Sequence, residues 1–465
     1  MRRSARRRSI AVTGRVGRTH GGYVVDVRTV TDLPGPAASP LVGNALQFRR
    51  DRLAFLTRCA REYGDTATFR IGSATLVLLS HPEAVRELLT VKQHDVSKGP
   101  VLQRARAVLG DGLLTSEGDV HLHDRRLLQA AFGRGRIERY AEEMLEVAGA
   151  AVRSWAPRRA LDLHAETVRT TLTVAGRTLF GTRLDDDVAL VSVALRDVLS
   201  AYGVLVLPLG QLLVRLPPSR QRVRRGTGAL DQLTARLIAE RSERGGTGDD
   251  LLSVLLADSE PRHARDQVVT MLLAGHETTA NALAFAGHLL ADHPSTQERV
   301  AEEVLEICGV GGQPSADDLA RLPLTRAALA EALRLYPPSW AMGRQAQVAT
   351  QVGGVEVPAR TVLLASQWVV HRDPRWWPEP ERFDPSRFLR PAPDRPRLAF
   401  FPFGGGTRQC VGEAFAWTEG VLTLATILAR WRLHLVPGRP LALDPLVTLR
   451  PRDGVWVVPE LRETA

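Results

Sequence analysis

Cys410 closes the stretch Phe400-Phe401-Pro402-Phe403-Gly404-Gly405-Gly406-Thr407-Arg408-Gln409-Cys410-Val411-Gly412, and the apolar run Ala414 to Leu428 follows it. Three consecutive glycines let a backbone bend tightly and lie close against something flat, because no Cβ intervenes. The run behind the cysteine (Ala414, Phe415, Trp417, Leu422, Leu424, Ile427, Leu428) has helical length and spacing. That pattern predicts Cys410 at a helix N-terminus, where unpaired N–H groups and the positive end of the dipole favour a thiolate. A thiolate beneath a planar surface, with Arg408 two residues ahead of it, is what an anionic ligand to a haem iron needs. A lone cysteine is more often a small buried hydrophobe, and three glycines are often an ordinary loop. The combined spacing is far more restrictive than either.

Three further sets of residues carry possible chemistry. Ala274-Gly275-His276-Glu277-Thr278-Thr279 falls inside a helical pattern running from about Arg265 to Ala291. A mid-helix glycine costs about 1 kcal/mol relative to alanine, so Gly275 calls for a reason such as a ligand's close approach. Thr278 can turn its hydroxyl onto the carbonyl of Ala274, which predicts a local loosening of the helix. Glu277 beside it supplies an acid, and the two are the parts of a proton relay; singly, each reads as a solvated charge or a packed β-branched residue. Glu331 and Arg334 stand three apart and share a helix face. A surface pair of that kind is worth only about 0.2–0.5 kcal/mol. His121 and Arg125 stand four apart in a helix from Gly118 to Phe132 and can reach one anionic group, against the plain alternative of a basic solvated face.

The elements that must position these groups are mostly helical. Order is expected from Leu33-Pro34-Gly35-Pro36, followed by the helical pattern Leu53, Phe55, Leu56, Cys59. Alternation at Ala67, Phe69, Ile71, then Leu76 and Leu78, around Gly72-Ser73, predicts a β-hairpin. His81-Pro82-Glu83 opens another helix. From Tyr140 to about Glu260 the pattern is almost wholly helical, with a short loop at Gly245-Gly246-Thr247-Gly248. A helix is expected from Thr296 to Ile307, and strands at Val355 to Leu364, near Val447 and at Val455 to Val458.

With 465 residues, 44% hydrophobic and 24% charged, the composition is that of a globular chain with a large core. Cys59, Cys308 and Cys410 are too scattered for a disulfide framework and fit a reducing compartment. The net charge is +10, almost all of it arginine, since Lys92 and Lys98 are the only lysines. No zinc-finger spacing, RNP motif or basic zipper is present, so the excess points to an acidic protein partner and away from nucleic acid. Residues 1–32 form a basic opening (Arg2, Arg3, Arg6, Arg7, Arg8, Arg15, Arg18) with Asp26 its first acid and no apolar stretch long enough for a signal peptide or anchor. A disordered arm is expected there. The most apolar segment, Gly203 to Leu216, is interrupted by Pro208, Gln211 and Arg215, and no membrane span is expected.

The run Phe-Gly-x-Gly-x-Arg-x-Cys-x-Gly from Phe403 to Gly412 resembles the haem-binding loop of the cytochrome P450 superfamily, and Ala274-Gly-x-Glu-Thr-Thr is similar to its oxygen-activating helix. The resemblance implies a mainly α fold with small β-sheets over residues 33–465, a triangular helical prism holding haem between that long helix and the cysteine-loop helix. It implies haem b with Cys410 as axial thiolate, O2 as co-substrate, and Glu277 and Thr278 as the proton-delivery pair. His121, Arg125, Arg344 and Arg408 would hold the propionates, and Ala274, Gly275, Phe403, Gly404, Gly406 and Gly412 would meet the ring. Glu331, Arg334 and, from Pro380-Glu381-Arg382-Phe383, Arg382 would form a buried structural triad.

Substrate contacts are expected from Val101, Ala274, Ser339, Trp340, Met342, Val447 and Thr448 beneath a lid at Gly203 to Leu216. These mostly apolar side chains fit a compact hydrophobic substrate, and several stretches, among them Pro40-Leu41-Val42-Gly43-Asn44 and Tyr63-Gly64-Asp65, look most like terpene-oxidising bacterial members. Electrons are expected from NAD(P)H through a separate ferredoxin and ferredoxin reductase, since no flavin or nicotinamide module is visible in the sequence. A cytoplasmic monomer is expected. Two rivals stand beside this reading. A non-redox haem-thiolate isomerase or dehydratase typically loses the acid–alcohol pair, and a haem-binding sensor or carrier needs no proton relay.

Overall fold

A computed structural model describes residues 28–205, 216–217, 219–243 and 250–463. Residues 1–27 of the expected arm, most of the expected lid (206–215) and the glycine loop at 245–248 lie outside the described residues. In chain order the first part holds β1 (Arg28–Thr29), α1 (Ala45–Arg50), α2 (Arg52–Tyr63), β2 (Thr66–Ile71), β3 (Ala74–Leu79), α3 (Pro82–Arg86), β4 (Val96–Lys98), α4 (Pro100–Leu109) and α5 (Gly118–Ala131). Strand β1 lies ahead of the expected start at Leu33, because it finds a parallel partner near residue 355 and Val30 and Leu33 are buried behind it. Asp51 accepts a hydrogen bond from the Ala54 N–H at 2.9 Å and so starts α2, whose Leu53, Phe55, Leu56 and Cys59 face the core. The hairpin turns at Gly72, which holds φ +61°.

The middle is α6 (Arg134–Ser154), β5 (Leu161–Asp162), α7 (Leu163–Leu179), α8 (Val188–Leu205), α9 (Ser219–Glu243) and α10 (Leu251–Asp258). The two-residue strand β5 interrupts the expected all-helical run; it is too short for any alternation to reveal it. Then come α11 (Pro261–Asp292), α12 (Pro294–Cys308) and α13 (Pro323–Leu335), each with proline in its first turn. The last part holds β6 (Met342–Ala346), β7 (Thr350–Val352), β8 (Val355–Val357), β9 (Val362–Ala365), α14 (Gln367–Val370), α15 (Glu413–Arg430), β10 (Trp431–Leu435), β11 (Leu443–Pro445), β12 (Leu449–Pro451) and β13 (Trp456–Leu461).

The strands form small sheets at the margins of a helical body. One runs β2-β3-β9-β6-β4, another β1-β8-β7, a third β10-β13-β5, and β11 pairs with β12 as a hairpin. Helix α11 crosses the centre, buried on nearly every face between α7, α13 and α15. Apolar residues all round a helix mark it as interior. No helix among the described residues is long and apolar enough to cross a membrane.

Candidate active site

Helix α15 begins at Glu413 behind Gly412, so Cys410 lies in the turn ahead of the helix and not in its first turn. The Cys410 N–H donates to the Phe403 carbonyl at 2.9 Å and closes the loop. Gly404 and Gly406 hold φ +74° and +71°. A Cβ on Gly406 would meet the Leu89 carbonyl oxygen at 1.9 Å, and one on Gly404 the Met342 Cε at 2.8 Å. The protein packed behind the loop therefore requires glycine at 406, whereas the sequence had pointed to a flat body in front of it. The sulfur faces a cavity of about 310 Å³. Cys410 is exposed to that cavity; the protein around it raises the thiol, opposed by the Gly412 N–H and the Arg125 charge, and coordination to a metal cation would convert it to a thiolate.

Helix α11 lines the same cavity with Thr270, Met271, Ala274, Gly275, Thr278, Thr279 and Ala282. The Thr278 hydroxyl donates to the Ala274 carbonyl at 3.0 Å, yet α11 stays α-helical throughout, so the expected loosening is absent. Thr171 and Thr167 on α7 donate to the carbonyls of His276 (3.1 Å) and Ala280 (3.0 Å), and the His276 Nδ1 donates to the Leu272 carbonyl. These extra donors brace the helix on both sides of the Gly275–Thr278 turn.

Glu277 lies outside the cavity lining and turns to the β11–β12 hairpin, where the Thr448 hydroxyl donates to its Oε1 at 2.8 Å. Its Oε2 is buried without a partner, and burial raises its pKa. A second carboxyl, Glu419 on α15, sits fully buried beside cavity-lining Thr279, and burial pushes it well above the usual range. Sequence reasoning missed Glu419, since one acid in an apolar helical run carries no spacing signal.

The cavity's other end is cationic. Arg344 on β6, Arg408, His121 and Lys98 all line it. Arg408 pairs with Glu117 at 2.7 Å and donates to the Gln93 carbonyl at 3.1 Å. Lys98 donates to the carbonyls of Leu113 (2.7 Å) and Ser116 (2.6 Å) and lies 3.3 Å from His121 Nδ1. Burial and the Arg408 charge bring Arg344 down to about 10; burial brings Lys98 down to about 8 and, with the Lys98 charge, His121 to about 4. His121 Nε2 and Arg408 Nε have no partner. Arg125 also lines the cavity, donating to the Gln409 carbonyl at 2.7 Å.

A model of the cytochrome P450 family matches residues 33–455. The chain belongs to the cytochrome P450 family. It is similar to cyclooctat-9-en-7-ol 5-monooxygenase of Streptomyces melanosporofaciens, 40% identical over 87% of this chain and 90% of that protein. Cyclooctatin synthase of the same organism is 38% identical over 92% and 95%, and pentalenene oxygenase of Streptomyces avermitilis 36% over 88% and 93%. This chain is thus a P450 monooxygenase.

The residues present fit haem. Four cations, Lys98, Arg125, Arg344 and Arg408, line the cavity and one carboxylate, Glu117, pairs with them, so positive charge is left over for the propionates of haem. The unpartnered His121 Nε2 and Arg408 Nε are polar atoms that carboxylates would satisfy. Lys98 escaped sequence reasoning because it belongs to a three-residue strand with no motif around it.

Behind the loop of this P450, Glu331 and Arg334 are fully buried and paired twice, at 2.7 and 2.8 Å. Arg334 also donates to the carbonyls of His371 (2.9 Å), Pro380 (2.6 Å) and Arg382 (3.1 Å). The side chain of Arg382, expected as the third member, instead points outward to exposed Glu379 at 3.1 Å. Its place belongs to Arg387, whose Nε lies 3.3 Å from Glu331 Oε1. The Asp384 N–H binds the same oxygen at 3.0 Å, so the short turn Pro385–Phe388 carries Arg387 back and leaves Arg382 on the outer side. His371 Nε2 accepts from the Phe401 N–H at 3.0 Å, tying this cluster to the cysteine loop.

Of the expected substrate contacts, Ala274, Ser339 and Met342 line the cavity. Val101, Trp340, Val447 and Thr448 do not. Leu102 takes the place of its neighbour Val101, Trp340 turns to donate to the Leu446 carbonyl at 3.1 Å, and Thr448 is taken by Glu277. Leu113, Leu114, Leu179 and Met271 are lining residues that the sequence did not reveal; a loop places the first two, the end of α7 places Leu179, and Met271 lies within α11.

Proposed function

We propose that this P450 monooxygenase inserts one oxygen atom of O2 into a compact hydrophobic terpenoid, using electrons from NAD(P)H through a separate ferredoxin and ferredoxin reductase. The observation that carries the reading is Cys410 opening into a cavity whose far wall is Ala274 to Thr279 of α11. Cys410 would hold haem there as a thiolate ligand, and haem would supply oxygen activation, which a thiolate ligand favours. Arg344, Arg408, Lys98, His121 and Arg125 would bind its carboxylates and fix its orientation. Thr278 holds a hydroxyl at the cavity wall, and Glu277, kept neutral longer than an exposed acid, holds a proton one residue away on the hairpin side.

The apolar lining from Leu102, Leu113, Leu179 and Met271 excludes water and orients a hydrocarbon body, and the relatives' names all refer to oxygenation or synthesis in the cyclooctatin and pentalenene series. Exposed Arg126 on α5 and exposed Arg326, its guanidinium 4.2 Å from the Trp417 ring centroid, offer positive charge to an acidic electron donor on the cysteine side.

The test begins with the reduced carbon monoxide complex of the purified holoenzyme. A red-displaced Soret band is expected from thiolate ligation, and a coloured sample without that band overturns the reading. Titration with cyclic terpenes and terpene alcohols, followed by turnover with NADPH and surrogate ferredoxin partners, then gives the substrate. Product without reductant would instead identify a non-redox enzyme.

A further inference from the structure

A second hollow, about 830 Å³, lies well apart from Cys410 between α1, α2 and the β11–β12 hairpin. Seven arginines line it against four acids, a surplus of three positive charges. Three of the acids are already engaged. Asp51 caps α2, Glu381 pairs with Arg372 at 3.1 Å, and Asp444 pairs with Arg450 at 3.0 Å. Among the described residues, Arg49, Arg50, Arg58 and Arg61 have no acidic partner. Cations in the last turn of a helix offset its dipole, which accounts for Arg49 and Arg50 on α1 and for Arg61 on α2 but not for Arg58, three residues before Arg61. At the inner end, Arg372 is buried, stacked on Trp368 at 3.4 Å, and its Nη1 has no partner. The remaining wall is apolar, from Leu53, Leu443 and Leu446.

We propose that this groove binds an organic diphosphate, its charged head on Arg49, Arg50, Arg58 and Arg61 and its apolar part along Leu443 and Leu446. Guanidinium forks match phosphate oxygens two at a time. A single phosphate carries roughly −1.5 to −2 at pH 7, so a surplus of three suits a diphosphate better than a monophosphate. The volume lies within the roughly 300–1,000 Å³ usual for small-ligand sites. The groove also shares a wall with the acid of the active site. Leu446 belongs to both the groove and the turn that presents Thr448 to Glu277, so a ligand held in the groove orders that turn.

The test uses the holoenzyme, in which the cavity cations are engaged by haem on the reading above, with inorganic pyrophosphate as probe in calorimetry at fixed ionic strength. Saturable binding is expected, at least ten-fold weaker for inorganic phosphate and for the double variant Arg58→Glu/Arg61→Glu, with slowed amide exchange across 446–449. Both substituted side chains are exposed and remote from Cys410, so the carbon monoxide spectrum stays unchanged. That spectrum separates failure of this proposal from failure of the haem assignment. The proposal is overturned by absence of saturable pyrophosphate binding, by equal affinity in the double variant, or by binding to phosphatidylglycerol vesicles alone.

Discussion

Glu331 and Glu277 are both withdrawn from water on neighbouring helices, and their surroundings differ in kind. Glu331 receives two hydrogen bonds from Arg334 and one from the Asp384 N–H, with Arg387 beside it. Glu277 receives one, from Thr448, and keeps an oxygen with nothing to bind. A buried charge with every lone pair answered is a fixed part of the scaffold. A buried carboxyl left short of partners is held nearer its neutral form and is available for proton traffic. The contrast separates a cluster hydrogen-bonded to the cysteine loop through His371 from the group that, on the proposed function, serves the chemistry.

The comparison is broken most forcefully at Arg334. Arg334→Ala leaves Glu331 as an unpaired buried charge, a loss of about 3–5 kcal/mol, and little haem-loaded protein is expected on purification; normal haem content in that variant removes the scaffold role. Glu277→Gln should do the opposite, keeping haem content while product formed per NADPH falls at least ten-fold, within the range of roughly 10²–10⁴ for general acid–base catalysis. Its stability effect also depends on pH. Because the folded pKa is raised, the native state holds a proton that the unfolded chain has lost, so stability falls as pH rises from the ordinary carboxylate value through the raised one. Thermal denaturation should therefore show Glu277→Gln gaining on the wild type from pH 5 to pH 8; a constant difference contradicts the assignment.

Smaller effects sharpen the same contrast. Arg387→Ala should lower stability by about 1–3 kcal/mol, since it strips a positive charge from beside buried Glu331, while Arg382→Ala should stay within about 0.5 kcal/mol because that side chain is exposed. Melting temperatures compared side by side decide which arginine belongs to the cluster. Thr171→Val removes the second donor on the His276 carbonyl, about 1 kcal/mol, and should speed amide exchange around 276–280 of α11, with Thr171→Ser restoring it.

Much of this was legible in the chain. The loop from Phe403 to Gly412, the helix around Gly275, the Glu331–Arg334 spacing and the hairpin at Gly72 are local patterns, and local patterns need only neighbouring residues to be read. The assignments that moved all depended on where a turn sends a side chain. Arg382 and Arg387 lie within one short stretch, and only the Asp384 contact to Glu331 chooses between them. Thr448 read as a wall residue because nothing in β11 or β12 announces Glu277 as its partner. Lys98 and Glu419 carry no motif at all, and folding alone brings one beside Arg408 and the other beside Thr279.

The order of residues by itself determined the P450 family, the cysteine loop and the helix that faces it, because spacing along a loop and around a helix is a property of the chain. The tertiary structure decided which buried acids are answered by cations and which are left short, and which side chains wall the cavity. Those are matters of contact between segments hundreds of residues apart, settled only when burial fixes how many partners each polar atom can reach.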